Sequence, residues 1–441
     1  MRPGPEKQNC RRRARGNRNF VAKWSAMDNS GNSSRAGRVA FTYPDFSLYQ
    51  LARFFIVAGL EMQSVAVGWQ IYEITKRPLD LGLVGLAQFS PGILLFLVSG
   101  HAADRFNRRN LLVACFAGFS VCSGLLLLTA LRQSRTILPI YAVVILMGIV
   151  RAFNNPVSRA MLPQIIPEEH LQNAFAWNSS VNQGATILGP SLGGFIYAVA
   201  NGPAAVYAGA MLTAMASVFL MAQVKLRSKA RPREPLSLKS VLAGLHYIGE
   251  KKIILGSISL DLFAVLLGGA VALLPVFASE VLHTGPWGLG LLRASPAIGA
   301  GSMGLLLAHR PFRRRAGATM LWCVAGFGAF TVLFGISRSL VLSMVALMLV
   351  GSMDMVSVVV RSMLVQLATP DEMRGRVSAV EMMFVGASNE IGQFESGLTA
   401  QWLGAVPAVI LGGIGTLIVT GLWAWYFPEL RRVETFSSIK N

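Results

Sequence analysis

Uncharged apolar runs about as long as a bilayer is thick recur along this chain and leave it few ways to fold. Residues 81–99 and 111–131 contain no charged side chain. Each approaches the ~20 residues a helix needs to cross the hydrocarbon core. Between them, residues 100–109 place Asp104, Arg105, Arg108 and Arg109 on what reads as a short loop. A membrane barrel would alternate apolar and polar residues, whereas continuous apolarity calls for helices, which pair their backbone groups internally. The expected class is therefore an all-α membrane protein embedded in a lipid bilayer.

Twelve such spans are expected from the apolar runs. The first six cover residues 48–74, 80–100, 110–131, 136–158, 171–199 and 203–224. The second six cover 253–281, 287–308, 317–337, 339–362, 375–402 and 405–427. Charged residues are 14% of the 441, well below the roughly 25% of soluble domains. The net charge of +19 comes from bases gathered between the runs, which is the positive-inside pattern rather than a nucleic-acid face. No nucleic-acid partner is expected.

Five regions follow. Residues 1–45 read as a disordered basic cytoplasmic tail, 46–224 as one six-helix half and 225–252 as a cytoplasmic linker. Residues 253–428 form the second half, and 429–441 a cytoplasmic tail. The linker carries eight Lys and Arg against two Glu. Within it, Leu238, Val241, Leu242, Leu245 and Ile248 recur at helical spacing, as in a helix lying on a membrane surface. Arginines flanking alternate spans put both termini on the cytoplasmic side.

The chain also repeats itself. At an offset of 203, the turn at Pro167 meets the turn at Pro370, Gly189 meets Gly392, and Gly194 meets Gly397. Two pseudo-symmetric six-helix halves with a substrate site between them are a known transporter plan.

With motif and repeat together, residues 46–428 resemble the major facilitator superfamily. Gly100, Asp104, Arg105, Arg108 and Arg109 match its loop signature between spans 2 and 3. Gly184, Gly189, Pro190, Gly193 and Gly194 resemble the span-5 motif of its antiporter branches. Trp69 to Tyr72, residues 156–171 and residues 369–376 resemble the enterobactin-exporter-like and multidrug-efflux branch. Asn107 departs from the usual glycine and is expected to keep the turn by tolerating a left-handed backbone. The second-half counterpart, residues 309–315, keeps arginines but has no acid. The resemblance implies that Asp104 latches the cytoplasmic side against the N-terminal end of span 11, near Arg374 and Arg376. It implies a helix-packing seam for the span-5 glycines, and a monomer.

Charged and amide residues within spans are costly and so become candidates for the transport path. Glu61 and Asp261, in repeat-related spans 1 and 7, lead as sites of proton coupling or cation recognition. Gln63, Arg151, Asn154, Asp354 and Glu390 follow. Asp354 and Arg361 share a helix face, and Arg151 and Asp354 stand 203 apart with opposite charge. Arg53, near a span end, is expected to snorkel. No catalytic constellation, metal-ligand spacing or phosphate-binding loop is visible, which leaves an ion gradient, with no cofactor, as the energy source. The expected function is proton-coupled export of a small amphipathic organic molecule, a siderophore or drug, across the inner membrane by alternating access. A lysophospholipid or other metabolite transporter of the same fold, and a non-transporting membrane sensor, remain alternatives.

Overall fold

A computed structural model describes residues 39–133, 136–227, 238–309 and 315–432. The side chains of Leu97, Ala103, Asp104, Asp371 and residues 238–240 lie outside this description, as do the second-half loop arginines Arg310, Arg313 and Arg314 and most of both tails.

The first half comprises α1 (Pro44–Thr75), α2 (Pro78–Leu94), α3 (Phe96–Arg105), α4 (Arg108–Leu131), α5 (Leu138–Ile165), α6 (Leu171–Val199) and α7 (Ala204–Gln223). A linker helix α8 (Leu238–Glu250) precedes α9 (Lys252–Leu267). Span 7 then continues to Val281 through a 3-10 turn, one α-turn and a π-turn, interrupted where Gly268 and Gly269 adjoin and Pro275 follows. The remainder is α10 (Gly285–His309), α11 (Ala316–Ile336), α12 (Leu340–Ala368), α13 (Asp371–Leu403), α14 (Ala405–Tyr426) and the single turn α15 (Pro428–Arg431).

Among the described residues, nine helical segments are long and apolar enough to cross a membrane. The other three expected spans fall short for visible reasons. Residues 78–105 are split at Leu95, four residues after Pro91. α6 is rich in amides and hydroxyls over its first half, and α13 carries Glu381, Glu390 and Glu395.

Local boundaries correct the sequence reading in three places. Residues 39–45, assigned to the tail, pack onto the bundle: Ala40 is buried and its N–H donates to Asn173 Oδ1 at 3.2 Å, while Phe41 sits edge-on to Trp177. The charged segment 100–109 is mostly helix, with only Phe106 and Asn107 between α3 and α4. Asn107 is extended (φ −62°, ψ 117°), not left-handed; its Oδ1 caps α4 by accepting from Arg109 N and Asn110 N.

α8 forms where helical spacing predicted it, but it docks on protein. Val241 and Ile248 are buried with Val377 and Val380 of α13, and Tyr247 Oη donates to Ala368 O at 3.0 Å. Leu242 on the other side is 56% exposed, which suits a helix lying along a bilayer surface.

Within the first half α1 packs against α6 and α7, α4 against α5 and α7, and α2 against α5. Within the second, α12 packs against α10 and α11, α14 against α11, and α9 against α13 and α14. The halves meet through α6 on α10 and α2 on α13. The apolar core divides unevenly along this bundle. At the face opposite the linker one cluster joins both halves, from Val65, Ile71 and Tyr207 to Leu273, Phe277 and Phe334. At the linker face the two larger clusters each belong to one half, Phe46, Tyr49 and Phe116 in one and Leu260, Met320 and Leu364 in the other, while the smaller cluster under α8 also takes Phe96 of α3.

Candidate transport site

The strongest polar feature lies inside the second half. Arg361 of α12 donates to Asp261 of α9 at 2.6 Å, and both residues are at least 96% buried. Arg361 Nε lies 3.7 Å from Glu381 of α13. Asp354, two turns before Arg361, is within electrostatic range of Asp261 and Arg361. Three carboxylates therefore share one guanidinium. Breaking such a buried pair costs ~3–5 kcal/mol because it strands a charge. A small cavity beside the cluster is walled by Val265, Val324 and Phe327, and Asp261, Asp354 and Ser357 open onto it. Ser357 is 3% exposed and its hydroxyl has no hydrogen-bond partner.

The first half carries a counterpart of different charge. Arg53 of α1 does not snorkel; it turns into the bundle, donating to Ser158 Oγ at 3.4 Å and Asn182 Oδ1 at 3.3 Å. Ser158 also donates to Asn154 Oδ1, and its carbonyl accepts from Tyr49 Oη at 3.1 Å. Asn154 is thus buried within this half as part of the Arg53 network.

A third set spans the halves. Arg151 donates to Gln88 Oε1 at 3.0 Å. Glu390 accepts from Gln393 at 3.2 Å, lies against Gly85 of α2, and has Arg151 and Arg293 as its charged neighbours. Arg293 of α10 reaches Ser64 Oγ of α1 at 2.7 Å. Nearer the face opposite the linker, Tyr72 donates to Glu280 across the halves.

The structure separates the sequence-derived candidates. Asp261 and Asp354 come together, with Arg361 and Glu381 completing their cluster. Arg151 and Glu390 stand within electrostatic range of each other at the junction of the halves. Glu61 is half-buried beside Gly189. Gln63 leaves the candidate path: it is fully buried inside the first half, accepting from Ser123 at 2.5 Å and donating to Met147 Sδ at 3.0 Å. It ties α1 to α4 and α5.

The span-5 glycines serve two faces rather than one. A Cβ at Gly189 would lie 2.7 Å from Ala58 O, and one at Gly193 would lie 2.7 Å from Met62 O, so these two seat α6 on α1. Gly194 and Pro190 instead meet α10, where a Gly194 Cβ would approach Gly290 Cα to 2.9 Å. Gly184 faces open space and belongs to neither seam. The α2–α13 junction repeats the arrangement: a Cβ at Gly397 would lie 3.1 Å from Gly82 Cα.

In the segment 100–109, Gly100 has no close neighbour, and Arg105 is exposed. Arg108 donates to Ala160 O near the end of α5 at 3.0 Å, and Arg109 donates to Ala222 O at the end of α7. Both place a cation at carbonyls of a helix C-terminal end, where the dipole favours it. These arginines fasten the first half to itself.

Residues 40–440 match the family described as transmembrane secretion effector. The enterobactin exporter EntS of Shigella boydii serotype 18 is 27% identical over 399 residues, covering 89% of this chain and 94% of that protein. The fold matches a point mutant of the nucleoside transporter NupG, with TM-score 0.69 and 12% identity over 87% of this chain and all of the other. It also matches a bacterial homologue of the human lysosomal transporter Spinster in an inward-facing, occupied state, with TM-score 0.67 and 13% identity over 88% and 98%. Family and neighbours are transporters, not enzymes. The chain belongs to the transmembrane secretion effector family of the major facilitator superfamily, and is a multi-pass membrane transporter.

Proposed function

We propose that this transporter exports an amphipathic organic molecule, a siderophore of the enterobactin type first among them, by proton-coupled alternating access. The observation that carries the coupling is the buried cluster in which Asp261, Asp354 and Glu381 share Arg361. One guanidinium leaves two carboxylates uncompensated, and an unpaired charge in a low-dielectric interior is costly. A proton taken up by the cluster removes one such charge; its release restores the electrostatic demand on Arg361. Because Asp261, Arg361 and Glu381 stand on three helices, α9, α12 and α13, that change bears on how those helices pack. The division of the apolar core supports the access cycle: the halves share one large cluster at one face, whereas at the other their two larger clusters are separate and only Phe96 of α3 joins the smaller cluster under α8.

Siderophore export rests on the likeness to enterobactin exporters along nearly their whole length. In this reading twelve spans cross the inner membrane, a single copy suffices, and the arginine-rich linker face with both termini is cytoplasmic. Asp104 supplies the charge of a latch to the N-terminal end of α13. The test is enterobactin transport into inside-out proteoliposomes under an imposed pH gradient. Uptake that follows the gradient in the unsubstituted protein, and loses that dependence in Asp354→Asn, is expected. Gradient-independent uptake would remove the proton from the mechanism.

A further inference from the structure

We propose that the first half contains a binding site for an oxyanion of the exported molecule, centred on Arg53 between α1 and α6. The inference deepens the export reading, and rests on it only in assigning the anion to the cargo. Arg53 is a half-buried guanidinium whose hydrogen-bond partners, Ser158 and Asn182, are neutral and distant at 3.4 and 3.3 Å. Its Nε is buried and has no partner. No carboxylate pairs with it among the described residues. The nearest acids on its own helix, Asp45 and Glu61, are each eight residues away, about 12 Å along the axis.

Unpartnered groups gather at the same level. Gln50, three residues before Arg53, is 3% exposed, and neither its amide nitrogen nor its oxygen has a partner. Asn178, one turn before Asn182 on α6, has a buried and unpartnered Oδ1. The contacts Arg53–Asn182, Ala58–Gly189 and Met62–Gly193 set α1 and α6 in parallel register, which brings Gln50 and Asn178 level with each other. Buried polar groups are nearly always paired, so several orphans together call for an explanation. A ligand oxyanion would accept from Arg53 Nε and Gln50 Nε2. A hydroxyl or N–H next to it would donate to Gln50 Oε1 and Asn178 Oδ1. The matching chemistry is an aromatic or aliphatic carboxylate or catecholate bearing a neighbouring donor.

The experiment uses the full-length protein in phosphatidylcholine nanodiscs, which contain no anionic lipid. Binding of 2,3-dihydroxybenzoate is compared with binding of its uncharged methyl ester. The unsubstituted protein is expected to prefer the carboxylate by about tenfold or more, equivalent to ~1.4 kcal/mol. Arg53→Gln should abolish the preference, and Arg53→Lys, which keeps the charge and guards against a folding artefact, should retain part of it. Equal binding of both probes, binding of neither, or a full preference in Arg53→Gln would each overturn the proposal. Gradient dependence of export is read separately in proteoliposomes. A carboxylate preference without gradient dependence would leave this site standing and remove only the proton-coupled reading.

Discussion

Arg53 and Asp261 occupy corresponding depths in the first helix of each half, and they carry opposite charges. The correspondence extends through both polar networks. At the repeat offset of 203, Ser158 answers to Arg361 and Asn178 to Glu381, and Arg151, which stands at the junction of the halves, answers to Asp354. The first-half set holds guanidinium among amides and hydroxyls; the second holds carboxylates around one guanidinium. The packing elements were not altered in this way. Gly194 on Gly290 and Gly397 on Gly82 give both junctions the same close helix crossing. Backbone contact tolerates little variation, because a single added methyl group meets main chain, whereas a polar pocket can change sign while keeping its volume. The repeat thus holds a common scaffold whose polar pockets differ in charge, a guanidinium among neutral groups in one half and an excess of carboxylates in the other.

The hardest blow to this contrast is Arg361→Gln, which strands three acids in the second half. A stability loss of ~3–5 kcal/mol is expected, read as a lowered thermal transition of the purified protein; Arg53→Gln, with no acid to strand, should lose far less. Equal losses would mean the two networks do not differ in kind. Next come Gly194→Val and Gly397→Val, each forcing side-chain atoms into a backbone crossing at ~1–3 kcal/mol. Similar losses at both junctions would sustain the pseudo-symmetry, and a loss at only one would break it. Asp354→Asn and Arg151→Gln, 203 apart, sharpen the division of roles. The first should change the gradient dependence of transport and the second the apparent affinity for anionic cargo, both measured in proteoliposomes.

The smallest effect lies outside the membrane, at the exposed pair Lys252–Glu429, 3.3 Å apart. A backbone hydrogen bond, and then Lys252, holds the Glu429 carboxyl below its usual range. Such a depressed carboxyl contributes stability above its unfolded value and loses it as the pH falls through the folded one. Lys252→Ala should therefore weaken the acid-side decline slightly and leave neutral-pH melting almost unmoved, as exposed pairs do.

Much of the architecture was legible because bilayer thickness and an internal repeat both leave marks in a single strand of text. Asp261 and Asp354 stood out for the same reason, as charges inside apolar runs. Their arrangement did not. The spacing of Asp354 and Arg361 placed them on one helix face, but a single helix cannot show that Arg361 takes Asp261 from a neighbouring helix at 2.6 Å. Arg53 looked like a residue reaching for the surface, since its distance from the helix end permits that; only the positions of Ser158 and Asn182 draw it inward. Gln63 had the polarity of a path residue, but polarity does not tell an inward-facing amide from one lodged between helices. The repeat held the missing signal, because Asn178 and Ser158 fall on Glu381 and Arg361. That match has meaning only once one member of each pair has a known neighbour.

The glycine crossings have a mechanical consequence. Where two backbones touch with no side chains meshed between them, the contact acts as a bearing rather than a set of gear teeth. In the proposed access cycle it would let the halves tilt without first disengaging knobs from holes. Gly194 lies 23 residues from the start of α6, a lever of about 35 Å. A tilt of ~10° about that contact would swing the linker-face end by ~6 Å. In the proposed access cycle, small residues at one face would thus set how wide the opposite face opens.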